Sequence, residues 1–211
     1  MVIKNRKIIA CIFNGFIVIG TIFIMVMYLT KNVTGPLGET TRGVNALRAF
    51  TNLSNIFCAI VALLMIIFPQ CPNWLRRLQF MSTTAVVLTF AVVVLFLNPL
   101  FIIKTGELFS LFSGSMFFTH FTNPLLAVIV FVFMTQSKYT FTRRDIWLNL
   151  LPILGYGLVY FLNVLVFQTW PDFYNFTFGG QLIFVPIVVL AIFGLTLGLS
   201  WILSIIARKR N

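Results

Sequence analysis

Residues 115–135 read SMFFTHFTNPLLAVIVFVFMT and carry the chain's only histidine, His120. The run is long enough to cross a bilayer, because a spanning helix needs about 20 mostly apolar residues. An ionisable side chain at membrane depth is costly, and it usually faces the interior of a helix bundle, where it serves a pathway, a ligand or a reaction. This stretch therefore predicts a membrane helix whose histidine faces the interior of the bundle and has a functional role there.

The composition indicates that the rest of the chain also belongs to a membrane protein. Hydrophobic residues make up 60% of the sequence and charged residues only 9%, which is typical of a polytopic membrane protein and excludes a separate soluble domain. The net charge of +11 is high, but no basic face is longer than a short loop. We therefore expect the cations to lie at helix ends and expect no nucleic-acid partner.

Apolar runs of spanning length occur six times along the chain. We predict an all-α bundle of six transmembrane helices that forms a single integral membrane domain over residues 1–211. Asn98-Pro99 is expected to close the third helix. Residues 100–114 are either an interfacial helix or the end of a neighbouring one. The predicted spans are about 8–29, 49–68, 80–97, 115–135, 146–167 and 181–207.

The distribution of lysine and arginine predicts the orientation. Four of these cations, Lys31, Arg42, Arg48 and Lys104, fall in the first, third and fifth loops taken together. The other eleven fall at the two termini and in the second and fourth loops. Because cytoplasmic loops carry an excess of lysine and arginine, we predict a multi-pass protein of the cell membrane with both termini in the cytoplasm. The eleven are Lys4, Arg6, Lys7, Arg76, Arg77, Lys138, Arg143, Arg144, Arg208, Lys209 and Arg210.

This orientation sets the depth of the polar residues. The fourth helix enters from outside, so at about 1.5 Å per residue His120 lies about 7 to 8 Å below its outer end. The second helix also enters from outside, and its polar residues lie at a similar depth. Helical spacing places Thr51, Ser54, Asn55 and Cys58 on one face of that helix.

Two further stripes accompany that face. His120, Asn123, Pro124 and Ala127 share a face of the fourth helix, and Tyr156, Tyr160, Asn163 and Phe167 share a face of the fifth. We predict that the three stripes converge on a polar pocket in the outer half of the bilayer, with residues 168–180 as a lid. The alternative is that these hydroxyls and amides only hydrogen-bond across helix interfaces, as such side chains often do in membranes.

Several kinds of chemistry have few candidates in this sequence. A metal or haem site would need more ligands than one histidine and the scattered cysteines Cys11, Cys58 and Cys71. A proton relay would usually use carboxylates inside a span, and the chain has none well inside. Nucleophilic catalysis remains, because an imidazole can accept the proton of a threonine hydroxyl. Thr51 and His120 are the pair at matched depth.

Three stretches carry a resemblance to a known family. They are residues 50–64, FTNLSNIFCAIVALL, residues 120–128, HFTNPLLAV, and residues 150–161, LLPILGYGLVYF, followed by WPDFYNF at 170–176. Together they resemble the bacterial branch of the androgen-induced and androgen-dependent TFPI-regulating protein superfamily. Its members are six-helix membrane proteins, and the animal ones hydrolyse fatty acid esters of hydroxy fatty acids. The resemblance implies that Thr51 is the nucleophile, that His120 is its catalytic partner and that no cofactor is needed.

The sequence leaves three functions open. The first is an intramembrane threonine hydrolase that cleaves a lipid ester, with Thr51 and His120 as catalytic residues. The second is a non-catalytic membrane protein that binds a lipid or a protein partner in the same pocket, and the third is a small transporter. For the first two, the supporting or substrate-binding candidates are Ser54, Asn55, Asn123, Tyr160, Asn163 and Asp172.

Overall fold

The computed structural model describes residues 2–31, 33–34, 40–41, 43–108, 110–135, 137 and 139–209. Within these residues lie six helices that are long and apolar enough to cross a membrane. Arg42, Lys138 and Arg210, which contribute to the predicted orientation, lie outside the described residues. The six spans are Asn5–Thr30, Phe50–Ile67, Asn73–Ile103, Gly114–Met134, Arg143–Val166 and Phe184–Arg208.

Five of the predicted spans agree with the structure to within three residues at each end, and the third does not. The third span begins at Asn73, so Arg76 and Arg77, which the sequence analysis placed in a loop, are helical. It also continues beyond Asn98-Pro99, where the prediction ended it. The first half of residues 100–114 is thus the end of the third span, which closes at Gly106 in the left-handed conformation.

The spans are interrupted by short π-helical turns. The α-helical segments are Val2–Thr30, Phe50–Ile67, Asn73–Val92, Asn98–Thr105, Gly114–Phe117, Asn123–Ile129, Arg143–Leu148, Leu151–Phe161 and Phe184–Arg208. The π-helical turns are Val93–Leu97, Phe118–Thr122, Val130–Met134 and Leu162–Val166. Two 3-10 turns, Gly43–Arg48 and Ser110–Phe112, and one antiparallel pair of short strands, Val33–Thr34 and Thr40–Thr41, complete the described elements.

Both Asn-Pro pairs follow a π-helical turn. Asn98-Pro99 follows Val93–Leu97, and Asn123-Pro124 follows Phe118–Thr122. A proline inside a helix lacks the N–H that would bond four residues back, and its ring collides with the carbonyl there. The wider turn just before each proline relieves this conflict, so the helix passes through the pair instead of ending at it.

The third span lies at the centre of the bundle. Its Thr89 hydroxyl hydrogen-bonds Ser54 of the second span at 3.1 Å, and its Phe80 ring stacks on Phe131 of the fourth at 5.6 Å. Asn149, just inside the fifth span, donates to Thr84 of the third at 3.1 Å and to Ser200 of the sixth at 2.9 Å. The third span thus contacts the second, fourth and fifth spans through these side chains.

Arg76 is buried at one end of this central helix, with 1% of its surface exposed. Its guanidinium lies 4.2 Å from the centroid of the Phe131 ring and donates to the Gln79 side chain at 2.7 Å and to the Phe131 carbonyl at 3.1 Å. The positive charge of Arg76 is therefore stabilised by aromatic ring faces and by neutral oxygen acceptors, which a planar guanidinium can contact at the same time. Arg76 fastens the third span to the last π-helical turn of the fourth.

Candidate functional site

The second span begins beside the loop that follows the fifth. Phe50 is the first residue of that helix, and Ala49 before it has no polar side chain to cap the free N–H groups. The Tyr174 hydroxyl accepts the Phe50 N–H at 2.9 Å and also interacts with the Thr51 side chain. The loop thus supplies the missing cap and fixes Thr51 beneath it.

A cavity of about 290 Å³ lies next to Thr51. The second, third, fifth and sixth spans form its sides, and Tyr174 and Phe176 of the loop form its cover. Nearly all of its wall is apolar, and hydroxyl groups reach it only from threonines and tyrosines. The lining residues are Phe50, Thr51, Leu88, Thr89, Val92, Val93, Leu97, Ile153, Leu154, Tyr156, Gly157, Leu158, Tyr160, Phe161, Tyr174, Phe176, Val189, Ile192 and Phe193.

Asp172 holds the cover in shape. Its carboxylate accepts hydrogen bonds from the Tyr160 hydroxyl at 2.5 Å, from the Phe176 N–H at 3.0 Å, and from the Thr177 N–H and hydroxyl at 2.8 and 2.7 Å. Desolvation raises the pKa of this carboxyl, but the four donors outweigh it and leave the pKa below its ordinary value. Asp172 and Tyr160, both candidates from the sequence, therefore meet as parts of the lid.

A second group of candidates meets between the second and fourth spans. The Asn55 amide donates to the Thr51 carbonyl at 2.7 Å and to the Thr119 carbonyl at 3.1 Å, and it accepts a hydrogen bond from the Asn123 amide. Ser54 bonds the Thr51 carbonyl at 2.9 Å. Ser54, Asn55 and Asn123 are buried, and their side chains join helices, which is the interface role that the sequence left as the alternative.

His120 lies in the π-helical turn Phe118–Thr122 and is 9% exposed. Its Nδ1 is 2.9 Å from the Leu111 carbonyl oxygen, and the Phe112 ring meets it edge-on with 6.5 Å between centroids. The imidazole is thus directed to the short segment that connects the third and fourth spans.

The structure gives the two catalytic candidates different partners, Tyr174 for Thr51 and the Leu111 carbonyl for His120. Thr51 lines the cavity, whereas His120 does not, and no hydrogen bond joins the two residues. Tyr174 is the neighbour of the Thr51 hydroxyl, and desolvation raises the pKa of that phenol, so it stays protonated near neutral pH. Tyr174 can donate or accept a hydrogen bond there, but it cannot remove the threonine proton as an imidazole would.

The cavity is apolar, unlike the predicted polar pocket, and it includes residues of two of the three predicted stripes, namely Thr51 of the second span and Tyr156 and Tyr160 of the fifth. The stripe on the fourth span contributes nothing to the lining, while the third and sixth spans contribute much of it. Asn163 lies apart, at the end of the fifth span, where its side chain bonds the Val159 carbonyl at 2.8 Å and the Thr169 hydroxyl at 2.6 Å. The residues of the third span that line the cavity were not predicted. The polar Thr89 within that apolar span was the signal in the sequence that could have indicated them.

A separate groove of about 450 Å³ runs between the second and fifth spans. It shares two wall residues with the cavity, Phe50 and Tyr156, whose rings lie 5.2 Å apart. Trp170 closes one end of the groove, and the Arg48 guanidinium lies 5.5 Å from the Trp170 ring centroid. The cavity and the groove are both of ligand size, and they meet at the start of the second span.

Within the described residues no group of three or more histidine, cysteine, aspartate or glutamate side chains is placed to hold a metal ion. Comparison of the chain with models of protein families, with curated proteins and with solved structures gave no match. What this multi-pass membrane protein does must therefore be argued from its own cavities and side chains.

Proposed function

We propose that this protein binds a lipid acyl chain in the cavity beside Thr51. The observation that carries the proposal is the cavity itself: about 290 Å³ of space whose wall is almost entirely apolar, under a cover held in place by Asp172. An empty space of this size between packed helices would leave its lining without contact partners, which costs stability. An acyl chain supplies those contacts.

The ligand comes from the bilayer, and this determines what can select it. Lipid tails are as apolar as leucine side chains, so moving a chain from the bilayer into the cavity gains little from the hydrophobic effect. Selection must come from close packing and from the few polar groups in the wall. Thr51 and the tyrosine cover place hydroxyls where a hydroxyl or ester group of the ligand would be satisfied.

Two glycines of the fifth span allow a matched test. A side chain at Gly157 would enter the cavity, one at Gly155 would enter the groove, and neither added Cβ would meet another atom within 4 Å. We expect the purified wild-type protein to retain a lipid species above its level in the detergent micelles, measured by extraction and mass spectrometry. Gly157→Leu should lose that species and Gly155→Leu should keep it.

Two outcomes would contradict the proposal. One is a wild-type protein whose extract has the same lipid composition as the surrounding micelles. The other is a retained species that survives Gly157→Leu as well as it survives Gly155→Leu. Both variants are first checked by size-exclusion chromatography, since both replace a glycine within the same helix and differ only in the space that the new side chain fills.

The charge distribution supports an orientation for the site. Eleven of the fifteen lysines and arginines fall on the side that holds both termini, which favours the cytoplasm for that side and the cell membrane as the location. The cavity then lies in the outer half of the bilayer, because Thr51 begins the second span and Leu97 lies in the last third of the third span.

A second candidate is hydrolysis of a lipid ester by Thr51. Its support is that Thr51 borders the cavity in which an acyl chain would lie, and that the three stretches described above resemble a superfamily with lipid ester hydrolases. In that reaction Thr51 attacks the ester carbonyl, and His120 takes the hydroxyl proton and returns it to the leaving alcohol; a water molecule, deprotonated by His120, then cleaves the acyl-threonine ester to release the fatty acid and restore the Thr51 hydroxyl. His120 would first have to leave the Leu111 carbonyl.

A further inference from the structure

The groove between the second and fifth spans has a charged residue at one end. Its long walls are apolar and include Leu53, Phe57, Pro152 and Val159. Arg48, the last residue of the 3-10 turn before the second span, reaches the groove through Trp170, a lining residue that its guanidinium contacts. The groove therefore has an apolar body and a cationic end.

Two contacts fix Arg48 at that end. Its guanidinium lies over Trp170, a lining residue, at 5.5 Å from the ring centroid. Its backbone carbonyl accepts the Tyr156 hydroxyl at 2.8 Å, and Tyr156 is also a lining residue. The ring contact positions the guanidinium and the hydrogen bond fixes the backbone, and both leave the guanidinium edge, with several N–H donors, available to a partner.

Among the described residues no carboxylate forms an ion pair with Arg48. The nearby acidic residue of the loop, Asp172, already accepts four hydrogen bonds from Tyr160, Phe176 and Thr177. None of these hydrogen bonds comes from Arg48, so among the described residues Arg48 has no direct carboxylate partner, and its charge favours an anion at the end of the groove.

We propose that the groove binds a phospholipid with an anionic headgroup, with one acyl chain along the groove and the phosphate on Arg48. A guanidinium binds a phosphate through two parallel hydrogen bonds, and arginine and tryptophan at this level of a membrane protein lie beside lipid headgroups. A zwitterionic headgroup brings its own cation toward Arg48, so a headgroup with net negative charge binds better. The site is separate from the cavity and does not depend on the function proposed for it.

The test uses the full-length protein and two lipids with identical acyl chains, phosphatidylglycerol and phosphatidylcholine. Binding of each lipid is measured by native mass spectrometry for wild type, Arg48→Gln, Gly155→Leu and Lys31→Gln. Lys31, at the end of the first helix, is an exposed cation with the same predicted sidedness as Arg48 and serves as the charge-matched control.

We expect wild type to prefer phosphatidylglycerol, and Arg48→Gln to bind it about tenfold more weakly, because the glutamine amide can still donate to the phosphate but carries no charge. Phosphatidylcholine binding should change little in Arg48→Gln. Gly155→Leu should weaken binding of both lipids because it fills the groove, and Lys31→Gln should behave as wild type. The acyl-chain proposal for the cavity fails separately, if Gly157→Leu does not reduce the retained lipid, because that variant fills the cavity and leaves the groove open.

Three results would overturn this inference. They are a wild-type protein without preference for phosphatidylglycerol, an Arg48→Gln variant that keeps the wild-type preference, and an equal loss in Arg48→Gln and Lys31→Gln, which would indicate net charge alone. Gly155→Leu keeps the inference testable if Arg48→Gln does not fold, because undiminished lipid binding to Gly155→Leu would exclude the groove.

Discussion

Asn55 illustrates the main use of polar side chains inside this bundle. One amide satisfies two backbone carbonyls, those of Thr51 and Thr119, and accepts a bond from Asn123. In the apolar part of a bilayer no water can take these places, so the amide has to find its partners in the protein. Such bonds contribute modestly, about 0.6 kcal/mol each on average, but they select which helix faces meet.

Thr51 is the residue at which binding and catalysis can be told apart. Because its hydroxyl lies beside the protonated Tyr174 phenol and not beside His120, we expect no activated nucleophile. Purified wild type should therefore resist covalent labelling by lipid-like fluorophosphonates of several chain lengths. Labelling of wild type that disappears in both Thr51→Ala and His120→Ala, with all three proteins folded, would contradict this expectation and establish the hydrolase.

Individual residues also show how much of the candidate site can be predicted from the sequence. The predicted topology places Thr51 and His120 at matched depth, and helical spacing places His120 and Asn123 on one face, where both are buried. The spacing does not predict which neighbour a side chain meets. His120 bonds Leu111, which belongs to a short connecting turn, Ser110–Phe112, that no periodic pattern defines.

The two Asn-Pro pairs have the same effect on their helices, although they were predicted to differ. One pair was predicted to end a helix and the other was accepted inside one, yet both lie inside a span after a π-helical turn. A proline does end most helices in water, but in a membrane an ended helix exposes unpaired backbone groups. The membrane therefore favours the wider turn over the break, and apolar length is the better guide than proline.

Gly20 permits a close contact between the first and fourth spans. A Cβ at Gly20 would collide with the Phe118 ring, whereas a Cβ at Gly15 on the same helix would meet nothing within 4 Å. We expect Gly20→Ala to destabilise the protein by about 1 to 3 kcal/mol through overpacking. Gly15→Ala should be neutral or slightly stabilising, because alanine favours the helix.

The measurement is the thermal midpoint of each variant in one detergent. Adding Phe118→Leu to Gly20→Ala should recover part of the lost stability, since the smaller side chain vacates the space of the collision. Equal midpoints for Gly20→Ala and Gly15→Ala would mean that the two helices are not in close contact at this position.

For the molecule as a whole, the number of spans follows from composition, but their arrangement does not. Six apolar runs predict six spans, and all six are present in the described residues. The one histidine drew attention to the fourth span. The third span is central instead, and its buried polar residues Arg76, Gln79, Thr84 and Thr89 mark it. Buried polar side chains on a span are therefore a better sign of centrality than one ionisable group.

The orientation of the whole bundle can be tested without changing any charge. Leu108 and Thr140 are exposed residues on either side of the fourth span, so they must lie on opposite sides of the membrane if that span crosses it. In a background with Cys11, Cys58 and Cys71 replaced, a membrane-impermeant maleimide should label Leu108→Cys in intact cells. It should label Thr140→Cys only after permeabilisation, because the Thr140 loop has the greater share of lysine and arginine. The reverse pattern would invert the bundle and move the cavity to the inner half of the bilayer. Labelling of both positions in intact cells would show that the fourth span does not cross at all.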